Sequence, residues 1–154
     1  MKKSSGILMA RKRKEWEFLL LHTGGPYWEG KDMHAWSFPK GELDADEDML
    51  MAAQREWHEE SGFDIPPLPY IKLGKVHNRH KLVQTYLVVG EVDLETFSSN
   101  TYEQEWPPHS GRLQSFPEAD DVQWFTAQEC KKKLHRYLVP IIDMALEKLS
   151  ESDV

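Results

Sequence analysis

The chain has 154 residues, 40% hydrophobic and 29% charged, enough for one sizeable core and too few for two comfortable domains, so residues 1–154 read as a single domain. A formal charge of -7 argues against broad, nonspecific binding to nucleic acid or to an anionic membrane surface. Cys130 is the only cysteine, which excludes an intramolecular disulfide and points to a reducing cytoplasm.

Met1-Lys2-Lys3 has the positive start of a signal peptide, but the apolar run 6–10 is too short for its core, and no apolar stretch approaches a membrane span. Strand-like runs at 6–10 and 16–22 enclose Arg11-Lys12-Arg13-Lys14, which therefore reads as a hairpin tip. Gly24-Gly25-Pro26 reads as a turn, because the Lys-Ser/Thr of a phosphate-binding P-loop does not follow it. A strand is expected at 35–38 and a helix at 47–61. Asp44 to Asp48 alternates acids as a calcium loop would, yet the sixth and twelfth positions of an EF-hand loop fall on Met49 and Arg55 instead of Gly and Glu.

Further strands are expected at 70–77, 82–92 and 122–125, with helices at 127–134 and 137–149. Between the first two, His77 and His80 lack the further ligand that zinc would need, which leaves Arg79 and His80 as candidate contacts to substrate phosphate. Residues 93–114 are long for an ordinary connection and suggest a substrate-facing loop or a structured insertion. Strands around one charged helix, ending in helices, imply an α/β sandwich.

The helix at 47–61 carries the chemistry. It lacks Gly and Pro, is rich in Met, Ala, Leu, Gln and Glu, and stops at Gly62, a residue suited to the position after a helix end. At about 100° per residue, Glu56, Glu59 and Glu60 share one arc, while Leu50, Ala53 and Trp57 share the adjacent apolar arc. Carboxylates at such spacing repel one another and weaken the helix unless something cationic sits among them. Mg²⁺ answers that need, since it prefers oxygen ligands and is held by a few carboxylates plus substrate phosphate and water. Arg55, one turn before Glu59, is placed to orient it by an ion pair, and Glu47 is placed to anchor Arg55.

Gly41, Glu47 and Arg55-Glu56-Trp57-His58-Glu59-Glu60-Ser61-Gly62-Phe63 fill every fixed position of the Nudix box at its spacing, Trp57 taking a bulky apolar slot that is more often aliphatic. The chain thus resembles the Nudix hydrolases over essentially its whole length. The resemblance implies a mixed sheet with helices on both faces and the box helix lying against it. It also implies two or more Mg²⁺ or Mn²⁺ ions held by Gly41, Glu56, Glu59, Glu60 and Glu118. Catalytic roles follow for Glu59, Glu118 and Arg55, with either Glu59 or Glu118 as the general base.

Two flanking matches narrow the reading. Trp36-Ser37-Phe38-Pro39-Lys40-Gly41 resembles the approach to the box in hydrolases of dinucleoside polyphosphates and in RNA 5′-pyrophosphohydrolases, and places Lys40 against phosphate. Pro117-Glu118-Ala119-Asp120-Asp121-Val122-Gln123-Trp124 resembles a downstream signature of the same enzymes, from which Glu118 takes its role. The best detailed match is a bacterial group of nucleotide pyrophosphohydrolases, on His22-Thr23-Gly24-Gly25-Pro26-Tyr27-Trp28 and Glu105-Trp106-Pro107-Pro108-His109-Ser110-Gly111. Where diadenosine polyphosphate hydrolases often carry a base-stacking Tyr, this chain has His80, and Tyr86 and Trp106 are the aromatic candidates to replace it. The expected activity is hydrolysis of a pyrophosphate bond in a dinucleoside polyphosphate or nucleoside triphosphate, with an RNA 5′ end as a further candidate. The rival reading is a noncatalytic Nudix-fold module that holds a nucleotide or a protein.

Overall fold

A computed structural model describes residues 1–152. Ten strands and three helices follow one another as β1 (Lys2–Lys12), β2 (Trp16–Thr23), β3 (Trp36–Ser37), β4 (Lys40–Glu42), α1 (Met49–Ser61), β5 (Ile71–Lys72), β6 (Val76–His77), β7 (Lys81–Val89), β8 (Thr101–Glu105), β9 (Leu113–Pro117), β10 (Ala119–Thr126), α2 (Ala127–Lys133) and α3 (Pro140–Ser152). The main sheet runs β10-β2-β1-β7-β5, with β3, β4 and β6 paired onto β2, β1 and β7. It is mixed: β1 runs parallel to β7 from Lys2↔Lys81 to Ala10↔Val89, while its other partners are antiparallel.

Strand periodicity divides the core into two layers. Leu8, Ala10, Phe18 and Leu20 point to one face and pack with Cys130, Leu134, Leu138, Ile141 and Ile142 from the C-terminal helical region. Their neighbours Ile7, Met9, Leu19 and Leu21 point to the other face and pack with Ala53 and Trp57 of α1. The architecture is therefore the α/β sandwich expected from the order of elements, with the helices on both faces of a mixed sheet that the family resemblance implied. Trp57 is fully buried, and its indole N–H donates to the Asp64 carbonyl at 2.9 Å, so the large ring in an aliphatic slot is both covered and satisfied.

Several elements differ from their sequence expectation. β1 extends beyond 6–10 because Ser4 and Ser5, polar by sequence, are buried strand residues paired to β4. The expected strand at 70–77 is split into β5 and β6. Gln84, buried on β7, donates its side-chain amide to the Leu73 carbonyl at 2.7 Å, which takes up a ladder position and lets the chain step out of register. Residues 93–114 contain a 3-10 turn, Leu94–Thr96, and β8; with β9 this strand makes a separate hairpin running from Thr101↔Pro117 to Glu105↔Leu113. Among the described residues no helix is long and apolar enough to cross a membrane.

Candidate active site

Helix α1 begins at Met49 because Asp48 caps it, its carboxylate accepting from Met51 N at 2.7 Å. It ends at Gly62, whose left-handed φ of 74° lets its N–H return to the His58 carbonyl at 2.8 Å. Glu47 lies outside the helix and is free to turn back on Arg55, which donates to it through Nε at 2.9 Å and Nη2 at 3.0 Å. The same guanidinium reaches Glu56 at 2.8 Å, Glu59 at 3.1 Å and the Glu42 carbonyl at 2.9 Å. One planar fork thus ties the chain before the helix to two of its carboxylates. Arg55 holds Glu47 well below the usual carboxylate range. Glu56 is raised instead, because loss of water outweighs the attraction of Arg55.

Glu60 faces the other way and accepts from Lys40 N of β4 at 2.7 Å. Burial pushes its carboxyl up to about 8 against the pull of Lys40. Gly41 follows, and a β-carbon there would overlap the Glu56 carboxylate, so a larger residue at this position would push Glu56 from its place beside β4. Glu118 arrives from far along the chain, at the junction of β9 and β10. Its carbonyl accepts from Gly24 N at 2.9 Å and its own N–H donates to the Asn100 carbonyl at 2.9 Å. Glu118 is raised by burial, with Lys40 and Lys81 opposing. Glu56, Glu59, Glu60 and Glu118 line one cavity of about 560 Å³ together with Lys40, Gly41, Glu42 and Lys81.

A family model for the NUDIX domain matches residues 2–143. The chain belongs to the Nudix family. Membership carries the family's enzyme class, pyrophosphohydrolase. Among solved structures the Nudix chain is similar to an Ap4A hydrolase from C. elegans in a binary complex, at 22% identity and a TM-score of 0.65, over 98% of this chain and 99% of that one. It is similar to the NUDIX domain of Shewanella oneidensis NrtR complexed with ADP ribose, at 16% identity and 0.64, over 97% and 88%. A MutT protein from Methanosarcina mazei Go1 superposes at 18% identity and 0.58, over 96% and 94%. At these identities the likeness is one of fold. No curated protein matches the chain.

The fold brings Lys40, Gly41, Glu56, Glu59 and Glu60 of the Nudix box region together with Glu118, while Arg55 supports the box glutamates from the side. Arg79, His80 and Tyr86, expected to contact substrate, lie outside the cavity. Asn78 explains the first two: its side-chain oxygen accepts from His80 N at 2.8 Å and Lys81 N at 2.9 Å, a tight turn that leaves Arg79 and His80 exposed at its tip. Tyr86 fails by alternation along β7, packing into the α1-side core while Lys81 lies at the cavity. Sequence reasoning missed Lys81, Asn78, Asn100, His135 and Tyr137, lining residues from three separate segments. It also missed Ser4, which lines the cavity at 1% exposure with a hydroxyl that finds no partner among the described residues. No local pattern marks any of them, although Asn78 followed by a strand is a readable turn.

The donor chemistry fits the divalent ion that the family implies, since Glu56, Glu59, Glu60 and Glu118 line the cavity together with Glu42 and Gly41, with no sulfur among the lining residues. Among the described residues no three acidic, imidazole or thiol side chains stand ready as a closed ligand set. Glu56 and Glu59 are turned onto Arg55 and Glu60 onto Lys40 N, so ligation calls for rotation of side chains that are already within one cavity.

Proposed function

We propose that the protein hydrolyses a pyrophosphate bond in a nucleoside diphosphate linked to another group, and prefers dinucleoside polyphosphates or nucleoside triphosphates to ADP-ribose. The observation that carries this is the joining of Glu56, Glu59, Glu60 and Glu118 with Lys40 and Lys81 around one cavity. Gly41 and Glu56, Glu59, Glu60 and Glu118 would hold Mg²⁺ or Mn²⁺. When bound, such ions neutralise phosphate charge and lower the pKa of an attacking water.

The chain's own residues do the rest. Arg55 keeps Glu56 and Glu59 at the cavity and is itself held by Glu47, so both carboxylates are within reach of a metal once their side chains rotate onto it. Glu59 and Glu118 are the two candidates to accept the proton from water as it attacks phosphorus. Glu59 has 41% of its side chain exposed against 13% for Glu56, so the former is open to incoming water and the latter serves as a ligand. Lys40 and Lys81 lie where phosphate oxygens enter, which supports a substrate whose phosphate chain is long.

Two measurements test the reading. Exhaustive chelation should abolish turnover and Mg²⁺ should restore it; full turnover in the chelated protein would overturn the chemistry. In competition at equal concentrations, dinucleoside polyphosphates or nucleoside triphosphates should be consumed ahead of ADP-ribose; a strong preference for ADP-ribose would overturn the substrate class alone.

A further inference from the structure

The cavity has an aromatic wall that the hydrolytic groups do not use. Trp28 and Tyr137 line it, each half-buried and packed against the core, whereas Phe38, also lining, is 1% exposed within that core. Trp28 meets the His135 ring edge-on with centroids 4.7 Å apart, and Tyr137 follows His135 by two residues. His135 is in turn tied to Thr23 Oγ1 at 2.7 Å. The aromatic candidates suggested by sequence are elsewhere: Tyr86 packs under α1, and Trp106 sits on the hairpin against Tyr27 at 5.2 Å.

The turn bearing Trp28 is held from both ends. Trp28 N donates to the Gly25 carbonyl at 3.2 Å, and Gly24 N donates to the carbonyl of Glu118. The backbone of this turn is thereby tied to the glutamate that reaches the cavity from β9 and β10, and the indole is held by its contact with His135 and by Lys31 Nζ, 5.5 Å from its ring centroid. At about 560 Å³ the cavity exceeds what a pyrophosphate needs and lies in the range of sites that enclose whole small molecules.

We propose that Trp28, with Tyr137 on the same wall, is the platform on which the substrate's nucleobase stacks. This rests on the reading that the substrate is a nucleotide and adds where its base goes. Every base has a π-face, so a stacking platform recognises a nucleoside with little choice among bases. A fixed ring also loses little freedom on binding.

The test uses two noncleavable probes that share one phosphonate chain: adenosine 5′-(α,β-methylene)diphosphate and methylenediphosphonate, titrated calorimetrically into the full chain with Mg²⁺. The wild type should bind the nucleoside probe more tightly. Trp28→Ala should weaken that probe about tenfold and leave methylenediphosphonate unchanged, while Trp28→Phe, which keeps a ring and guards against a folding defect, should retain most of the affinity. Equal weakening of both probes, no weakening of the nucleoside probe, or a wild type that binds both alike would each overturn the platform. Glu59→Gln separates this from the catalytic reading, since it should lose hydrolysis and shift the binding of both probes alike, whereas Trp28→Ala should act on the nucleoside probe alone. Catalysis that fails without Glu59 beside binding indifferent to Trp28 would sink only the platform.

Discussion

Helix α1 and the β8–β9 hairpin region both deliver carboxylates to the cavity, but they hold them by opposite means. On α1 the control is local: Asp48 caps the helix, Arg55 binds Glu56 and Glu59 within its own turn, and Glu47 braces Arg55 from eight residues away. Glu118 is held by chain segments remote in sequence, through Gly24 on one side and Asn100 on the other, while Ser99 Oγ accepts from Ala119 N at 3.0 Å. A locally held group tolerates change elsewhere in the fold. A remotely held group moves whenever either clamp moves.

The largest expected effect lies on the local side. Glu59→Gln and Glu60→Gln remove a charge with little change of volume and should each lower turnover by about 10²–10⁴-fold with an unchanged circular dichroism spectrum. Normal turnover in both purified variants would break the comparison by removing its catalytic half. Glu118→Gln decides how equal the two regions are. A loss in kcat matching that of Glu59→Gln would make Glu118 an equal partner in proton transfer, and a loss of about tenfold would leave it a ligand.

A smaller effect tests the remote clamp itself. A β-carbon at Gly24 would overlap the Pro117 carbonyl, a backbone atom that cannot swing aside, so Gly24→Ala should displace the Glu118 junction. Turnover should fall about tenfold through that displacement, and the melting temperature should fall with it. An alanine variant with wild-type kcat would show that the clamp is not needed. Lys40→Ala should cost less than the glutamate variants, and its cost in kcat/KM should grow with phosphate number, since a single cation contributes most where negative charge is uncompensated. A loss independent of phosphate number would remove Lys40 from substrate recognition.

The smallest effect concerns the aromatic wall. Burial pushes the His135 imidazole down to about 4, well under its unfolded value, with the Lys40 and Lys81 charges acting in the same direction. Between those two values the unfolded chain takes up a proton that the folded chain refuses, so stability falls as pH drops from about 6.5 toward 4. Thermal melts at pH 7 and pH 5 should show a drop in wild type that shrinks by about 2–4 °C in His135→Gln. Equal drops in the two proteins would show that His135 titrates normally.

The box glutamates were legible in the sequence because a helix turns contiguous spacing into a shared face: Glu56, Glu59 and Glu60 could be placed together without any knowledge of the sheet. Arg55, Glu47 and the stop at Gly62 were legible for the same reason, each acting within about two turns. The hairpin tip after β1 and the sandwich architecture followed from alternation and element order. What sequence could not decide was which distant segments meet. β4 was missed because a three-residue strand is recognised by its partner β1 and not by its composition. Arg79, His80 and Tyr86 were drawn to the site by chemistry that suits phosphate or base, yet an Asn78-capped turn and the alternation of β7 turned them away, and brought Lys81 in instead. Trp28, His135 and Ser4 share a cavity only because β1, the turn after β2 and the chain between α2 and α3 close around it. Such contacts depend on strand register and loop closure, which are set by the packing of the whole core and leave no periodic trace in any one segment.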